Sequence, residues 1–87
     1  MSTAYFLIHA KLNHESEIIK KIKSILEHVN IPHEVHGVFG VYDIIVKISA
    51  GTDEALRKIV LERLRKIERI ESAMTMMVNE EHETLAA

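Results

Sequence analysis

The fold is decided by residues 37–48, GVFGVYDIIVKI, which lie in the middle of the chain. Gly37 and Gly40, two of the three glycines, stand at the start of this stretch, and glycine adopts a positive φ without steric cost. The residues on both sides alternate between apolar and polar positions, as half-buried strands do. The stretch therefore predicts a hairpin whose strands span residues 33–39 and 42–49, with the turn at positions 40 and 41.

Apolar residues at helical spacing lie on either side of the hairpin. Before it, the pattern predicts a helix that begins at the N-cap Asn13 and ends at Asn30 and Pro32. After it, Gly51 and Thr52 are predicted to cap a second helix, whose basic last turn suits a helix C-terminus. The stripes expected to be buried are Ile18, Ile19, Ile22, Ile25, Leu26 and Val29 in the first helix, and Leu56, Ile59, Val60, Leu64 and Ile67 in the second.

Strands are also predicted at the two ends of this pattern, over residues 4–12 and 70–78. The order β-α-β-β-α-β is that of the split βαβ arrangement, in which two helices cover one face of a four-stranded antiparallel sheet. The predicted fold class is therefore α+β and ferredoxin-like. One domain is expected over residues 1–79, followed by a loose polar tail at residues 80–87.

The composition excludes several classes of protein. The chain has 87 residues, of which 47% are hydrophobic and 28% charged, with a net charge of −2 and no cysteine. It therefore has no disulfide framework and no thiolate metal site, and it lacks the basic excess of a nucleic-acid-binding surface. No apolar run approaches the roughly 20 residues of a membrane helix. We expect a cytoplasmic protein without direct nucleic-acid or membrane contact, and the abundance of Ile, Lys and Glu indicates a thermophilic source.

One face of the predicted sheet is left uncovered by the helices. Counting alternate residues, this face carries Leu7, Val38, Ile45 and Met77, whereas a solvated face is polar. Scattered apolar surface residues are common, but these four lie on different strands, and a small domain gains stability from burying such a face. The helix-facing set is expected to include Tyr42, Met74, Met76 and Val78. A homodimer that pairs sheet to sheet is favoured, and its predicted interface residues are Leu7, His9, His36, Ile45 and Met77.

The six histidines do not suit a metal site in this arrangement. His33 and His36 stand three apart on one strand and so point to opposite faces, and His14 and His28 lie near the two ends of the first helix. His9 and His36 share the uncovered face, where they suit a pH-sensitive interface better than a metal site. No metal and no cofactor are expected.

The turn of the hairpin allows two interpretations. Gly37 and Gly40 leave backbone N–H and C=O groups open to a ligand, and Asp43 follows them, where its carboxylate could pair with an ammonium group. The same residues also fit an ordinary turn with a solubilising aspartate. The residues alone leave both interpretations open.

Residues 36–78, HGVFGVYDIIVKISAGTDEALRKIVLERLRKIERIESAMTMMV, resemble the C-terminal effector domain, or RAM domain, of the Lrp/AsnC (feast/famine) transcription regulators. The matching features are the glycine turn, the pair Tyr42-Asp43 before an apolar strand, an acidic-capped helix, and a last strand with Ser72 and Thr75. The resemblance extends over most of residues 4–79. No helix-turn-helix segment precedes the first strand, so the chain resembles the stand-alone effector-domain proteins of archaea and bacteria.

This resemblance implies a regulatory domain, not an enzyme, that pairs face to face into a dimeric α+β barrel and assembles into higher oligomers. It also implies a free amino acid as the effector, bound between dimers near the glycine turn, and co-assembly with full-length regulators of the family. DNA binding by this chain itself is not implied. The residues that the resemblance assigns to the effector site are Gly37, Val38, Gly40, Tyr42, Asp43 and, nearby, Thr75.

Two other functions use the same topology. A small dimeric α+β-barrel enzyme would place a histidine such as His9 or His36 inside the barrel as its reactive group, although the sequence shows no nucleophile with a base at a meaningful spacing. An ACT-like regulatory module would dock on a metabolic enzyme. Because a fold does not determine a function, both are alternatives to amino-acid sensing.

Overall fold

The structure confirms the order β-α-β-β-α-β and the ferredoxin-like fold. It is a computed structural model that describes residues 1–78; residues 79–87, and with them the predicted tail at residues 80–87, lie outside the described residues. The elements are β1 (Ser2–Ala10), α1 (Glu15–His28), β2 (His33–Gly37), β3 (Ile44–Ala50), α2 (Asp53–Glu62), a short 3₁₀ helix (Leu64–Lys66) and β4 (Ile70–Met77).

The four strands form one antiparallel sheet in the order β2-β3-β1-β4. β1 lies at the centre, where Leu7 pairs with Ile45 of β3 on one side and with Met74 of β4 on the other. β2 is an edge strand and ends at Gly37, earlier than predicted. Because β1 is antiparallel to both neighbours, its C-terminal end at Ala10 lies beside the start of β3 and the start of β4.

The core lies between the two helices and one face of the sheet. The helical stripes are confirmed, although Ile19, Ile25 and Ile59 are only partly buried. Every buried side chain in residues 1–78 is apolar, and each large one contributes about 1.5–3 kcal/mol relative to an exposed position. The helical core residues are Ile18, Ile22, Leu26, Leu56, Val60, Leu64 and Ile67, and the central strands add Ala4, Phe6, Ile8, Ala10, Ile44, Val46, Ile48 and Ala50.

The two helices begin differently. Thr52 caps α2 as predicted, because its Oγ1 accepts a hydrogen bond from the Ala55 N–H at 3.1 Å. The prediction of Asn13 as the N-cap of α1 is wrong: the helix follows His14, which makes no side-chain cap, and Asn13 has a φ of 67°. A 3.0 Å hydrogen bond between His14 Nδ1 and Glu17 Oε2 holds the pKa of the Glu17 carboxyl below its ordinary value.

A bulge between β1 and β4 reverses the predicted orientation of β4. Ser72 pairs with His9, but the next pair is Ile70 with Ala10, so Glu71 is an extra residue on β4. The β4 side chains after the bulge point to the face opposite to the one that alternation from Ile70 predicts. The predicted faces are therefore wrong: Ala73, Thr75 and Met77 lie on the helix side with their core partners Ile8, Phe6 and Ala4, and Met74 and Met76 lie on the uncovered side.

Candidate functional site

The connection between β2 and β3, residues 38–43, carries most of the predicted effector residues. Two backbone hydrogen bonds hold it: the Val38 N–H donates to Asp43 O at 2.8 Å, and the Asp43 N–H donates to Ile8 O at 2.9 Å. Gly40 has a φ of 152°, a backbone conformation that favours glycine. The loop is therefore anchored to the C-terminal half of β1 at its base.

The tip of this loop faces solvent. Gly37 ends β2, where it pairs with Ile44, and the half-buried Val38 follows it. Beyond them, Phe39 is 107% exposed and Val41 is 75% exposed. Two apolar side chains and the backbone groups between them thus stand open at the end of the sheet.

Asp43 is the charged group of the site. Its Oδ2 accepts a hydrogen bond from the Ala10 N–H at 2.9 Å and lies 3.8 Å from His9 Nδ1. The Asp43 and His9 side chains are 38% and 39% exposed, so both can reach a solvent-borne ligand. A carboxylate fixed by a backbone N–H, with one face open, can bind an ammonium group.

Tyr42 lies on the uncovered side of the sheet. Its ring centre is 4.8 Å from the His9 ring centre, and its hydroxyl donates a 3.7 Å hydrogen bond to Met74 Sδ. The prediction that Tyr42 faces the helices is wrong, because β3 begins only at Ile44 and the strand alternation does not extend back to Tyr42. The structure therefore brings Tyr42, Asp43 and the predicted interface residue His9 into one cluster.

The uncovered side of the sheet, called the open face below, has an apolar centre. Across the sheet, His36 pairs with Ile45, Ile45 with Leu7, and Leu7 with Met74. The next row consists of Glu34, Lys47, Tyr5 and Met76, in which Lys47 Nζ and Glu34 Oε2 are 3.9 Å apart. Met74 and Met76, which the alternation did not assign to this face, are 48% and 46% exposed on it.

Two predicted site residues lie elsewhere. Met77 pairs with Ala4 and packs against the core. Its predicted place in the interface on the open face is therefore wrong, and the bulge in β4 is the reason. Thr75 pairs with Phe6 on the helix side, and its hydroxyl accepts a 3.4 Å hydrogen bond from Arg65. Thr75 does not join the cluster of Tyr42, Asp43 and His9.

The histidines are dispersed in residues 1–78. His9 and His36 share the open face as predicted, but β3 lies between their strands, so they are roughly 10 Å apart. No group of three or more His, Asp or Glu side chains within the described residues could hold a metal ion. Over the same residues, the helices are too short and too polar to cross a membrane.

The sequence also matches a known protein family. Residues 3–85 match the family model of the Lrp/AsnC ligand binding domain. The chain belongs to this family. The match includes every helix and strand of the fold except the first residue of β1, and it confirms the resemblance based on the hairpin.

Solved structures similar to this Lrp/AsnC domain include one of nearly the same length. A hypothetical protein from Pyrococcus horikoshii is 28% identical, with a TM-score of 0.74, over 98% of this chain and 100% of that chain. AsnC of E. coli has the same fold, with a TM-score of 0.77 at 20% identity; the match covers 99% of this chain and 56% of AsnC. The same fold thus occurs as a short chain and as part of a longer chain.

A curated relative is an uncharacterised HTH-type transcriptional regulator from Pyrococcus furiosus. It is 42% identical over 45 residues, which are 52% of this chain and 30% of the relative. The chain thus matches less than a third of the length of this relative. The relatives support a regulatory domain.

Proposed function

We propose that this Lrp/AsnC domain binds a free amino acid and regulates transcription by assembling with itself and with full-length regulators of its family. The observation that carries the proposal is the Asp43 carboxylate, which is held beside an uncovered apolar sheet face. A domain of a ligand-binding family thereby has a charged group next to a surface that suits a second subunit.

The proposed ligand site has complementary groups for both ends of an amino acid. Oδ2 of Asp43 is engaged by Ala10, so Oδ1 would accept the ligand ammonium group. Backbone N–H groups of the loop would receive the ligand carboxylate, since Gly40 lets a ligand approach the backbone closely. Gly37, Val38 and Tyr42 complete the proposed site, and Thr75 is left out because it lies on the helix side.

The proposed assembly begins with a homodimer in which two open faces pack together. Leu7 and Ile45 lie at the centre of this face, and Met74 and Met76 are about half exposed beside them. Full burial of an exposed side chain contributes about 1.5–3 kcal/mol, and burying the exposed part of each of these contributes a share of that, which favours association of a small domain. Exposed apolar groups at the loop tip would then join dimers into higher oligomers next to the ligand.

The proposed partner is a full-length regulator of the same family. Its matching domain would pair with this one, and its own DNA-binding region would contact the operator. This chain, with a net charge of −2, would contribute ligand binding and assembly in the cytoplasm. The family and its regulator relative favour this function over the enzyme and over the ACT-like module.

The ligand proposal is tested by calorimetry of the purified protein against the twenty amino acids, followed by the variant Asp43→Asn. An asparagine oxygen can still accept the Ala10 hydrogen bond, so the fold should persist while the charge is lost. A hydrogen bond to a charged group is worth about 1.5–3 kcal/mol, so we expect the affinity for the bound amino acid to fall at least about tenfold.

The matched control is Asp53→Asn, which makes the same charge change at the other end of β3, in the first turn of α2. It should leave the affinity unchanged. Failure of every amino acid to bind would remove the proposed ligand class, and an Asp43→Asn affinity equal to that of the unaltered protein would remove Asp43 from the site.

A further inference from the structure

A cleft lies on the helix side of the sheet, along the edge strand β4. Its volume is about 230 Å³, and α2, the 3₁₀ helix and β4 form its walls. The open face and the loop of residues 38–43 contribute nothing to it. The lining residues are Arg57, Val60, Arg65, Thr75 and Met77.

Two arginine side chains line this cleft, and contacts fix the guanidinium group of one of them. Arg65 Cζ lies 5.7 Å from the centre of the buried Phe6 ring, and an Arg65 N–H donates the 3.4 Å hydrogen bond to Thr75 Oγ1. These contacts hold the guanidinium group over the sheet. None of the ion pairs within residues 1–78 includes Arg57 or Arg65. Within the described part of the chain, both positive charges are therefore available to an anion.

The rest of the lining determines which anion fits. Arginine presents its N–H groups as a planar fork that matches a carboxylate, and the Thr75 hydroxyl, which accepts from Arg65, can donate its own proton to a ligand oxygen. Val60 and Met77 supply an apolar wall. No acidic side chain of residues 1–78 lines the cleft, so among these residues an ammonium group would meet two positive charges and no counter-charge.

We propose that this cleft binds a small aliphatic carboxylate that carries no amino group. The volume lies below the roughly 300–1,000 Å³ of sites for drug-sized ligands, so the apolar chain is short. The apolar wall favours such a carboxylate over inorganic phosphate, although both suit the arginine pair. This second site is independent of the amino-acid site proposed at Asp43, because it uses different residues on the other side of the sheet.

The probes that test the proposal are butyrate, 2-aminobutyrate and inorganic phosphate, titrated into the protein by calorimetry. The Asp43→Asn variant is used as the background, because this substitution weakens binding of the amino acid at the other proposed site. Butyrate should bind, and 2-aminobutyrate and phosphate should each bind at least about tenfold more weakly. Equal or tighter binding of either competitor would overturn the proposed ligand class.

Substitution of the arginines tests the location. Arg57→Gln together with Arg65→Gln should weaken butyrate binding at least about tenfold, because two charge-assisted contacts are lost. Arg63→Gln removes one positive charge at the end of α2, and because Arg63 lines a different cleft, this variant should leave the affinity unchanged. If the double variant unfolds because Arg65 no longer packs on Phe6, Arg57→Gln alone decides the matter: an unchanged butyrate affinity overturns the assignment.

The experiments can reject each of the two proposed sites without rejecting the other. Loss of butyrate binding in the arginine variants, with amino-acid binding retained in the otherwise unaltered protein, supports the cleft whatever the outcome at Asp43. Butyrate binding that disappears with Asp43→Asn and survives the arginine substitutions would place the carboxylate at the loop and overturn this inference.

Discussion

Gly40 has a φ of 152°, and no heavy atom lies within 4 Å of the position where a Cβ would stand. The space is therefore free, and only the backbone conformation opposes a side chain. We expect Gly40→Ala to lower the free energy of unfolding by about 1–3 kcal/mol, the cost of a strained non-glycine residue. Urea unfolding followed by circular dichroism measures this change.

Gly51 provides the matched control for that substitution. It also has open space around its Cβ position, but its φ is not in the left-handed range. Gly51→Ala should change the free energy of unfolding by less than about 1 kcal/mol, or raise it, since alanine restricts the unfolded chain. Equal midpoints for the two variants would contradict a strained backbone at Gly40.

The residues of the candidate site could be predicted only where they adjoin the hairpin. The glycine turn and the aspartate after it are adjacent in sequence, so Asp43 could be identified as the charged group of the loop. Its contacts with Ala10 and His9 could not, because they depend on how far β1 extends beside the loop. The cleft along β4 could not be predicted, because in the sequence Arg57 and Arg65 look like ordinary exposed charges of one helix.

At the scale of elements, the start of α2 depends on one hydroxyl group. Thr52 Oγ1 accepts the Ala55 N–H, one of the donors that a helix N-terminus leaves without an intrahelical partner. Thr52→Ala should lower the free energy of unfolding by about 1 kcal/mol. For a domain of this size, the melting temperature should fall by about 4–8 °C, which a thermal scan detects.

Ser16 is the control for this loss. It is an exposed hydroxyl residue in the first turn of α1, which has no side-chain cap. Ser16→Ala should therefore leave the melting temperature unchanged or raise it slightly, because alanine favours the helix. A similar drop in both variants would indicate that the Thr52 cap does not stabilise α2.

The helices and strands could be predicted from the sequence wherever the hydrophobic pattern allowed a single interpretation. The apolar stripes of both helices have a single periodicity, and they are buried as predicted. β4 has methionines at positions 74, 76 and 77, so apolar side chains occur on both faces and do not define an orientation. The bulge at Glu71 then decides which methionines face the helices. A one-residue shift in backbone register does not alter the amino-acid composition, so the sequence pattern did not reveal it.

For the whole molecule, the orientation of β4 determines which surface can bind a second subunit. We expect Met74→Glu to weaken the proposed dimer at least about 100-fold, because each dimer loses two buried side chains and gains two buried charges. Sedimentation equilibrium measures the dissociation constant. The monomer should remain folded, since Met74 is 48% exposed.

The comparison for this change is Leu12→Glu. Leu12 is 82% exposed in the turn after β1, outside the sheet, so the same kind of substitution there should leave the dimer intact. A monomer in the unaltered protein would contradict assembly through the open face. Equal effects of the two variants would show that the dimer uses another surface.

The core formed by residues 1–78 has no group that can take up or release a proton. All buried side chains in residues 1–78 are apolar, so the core contributes the same folding free energy between about pH 5 and about pH 8. His9 and His36 lie instead on the surface proposed for the second subunit. A change of pH in this range would therefore act through the surface of the domain, including the proposed interface, and not through its core.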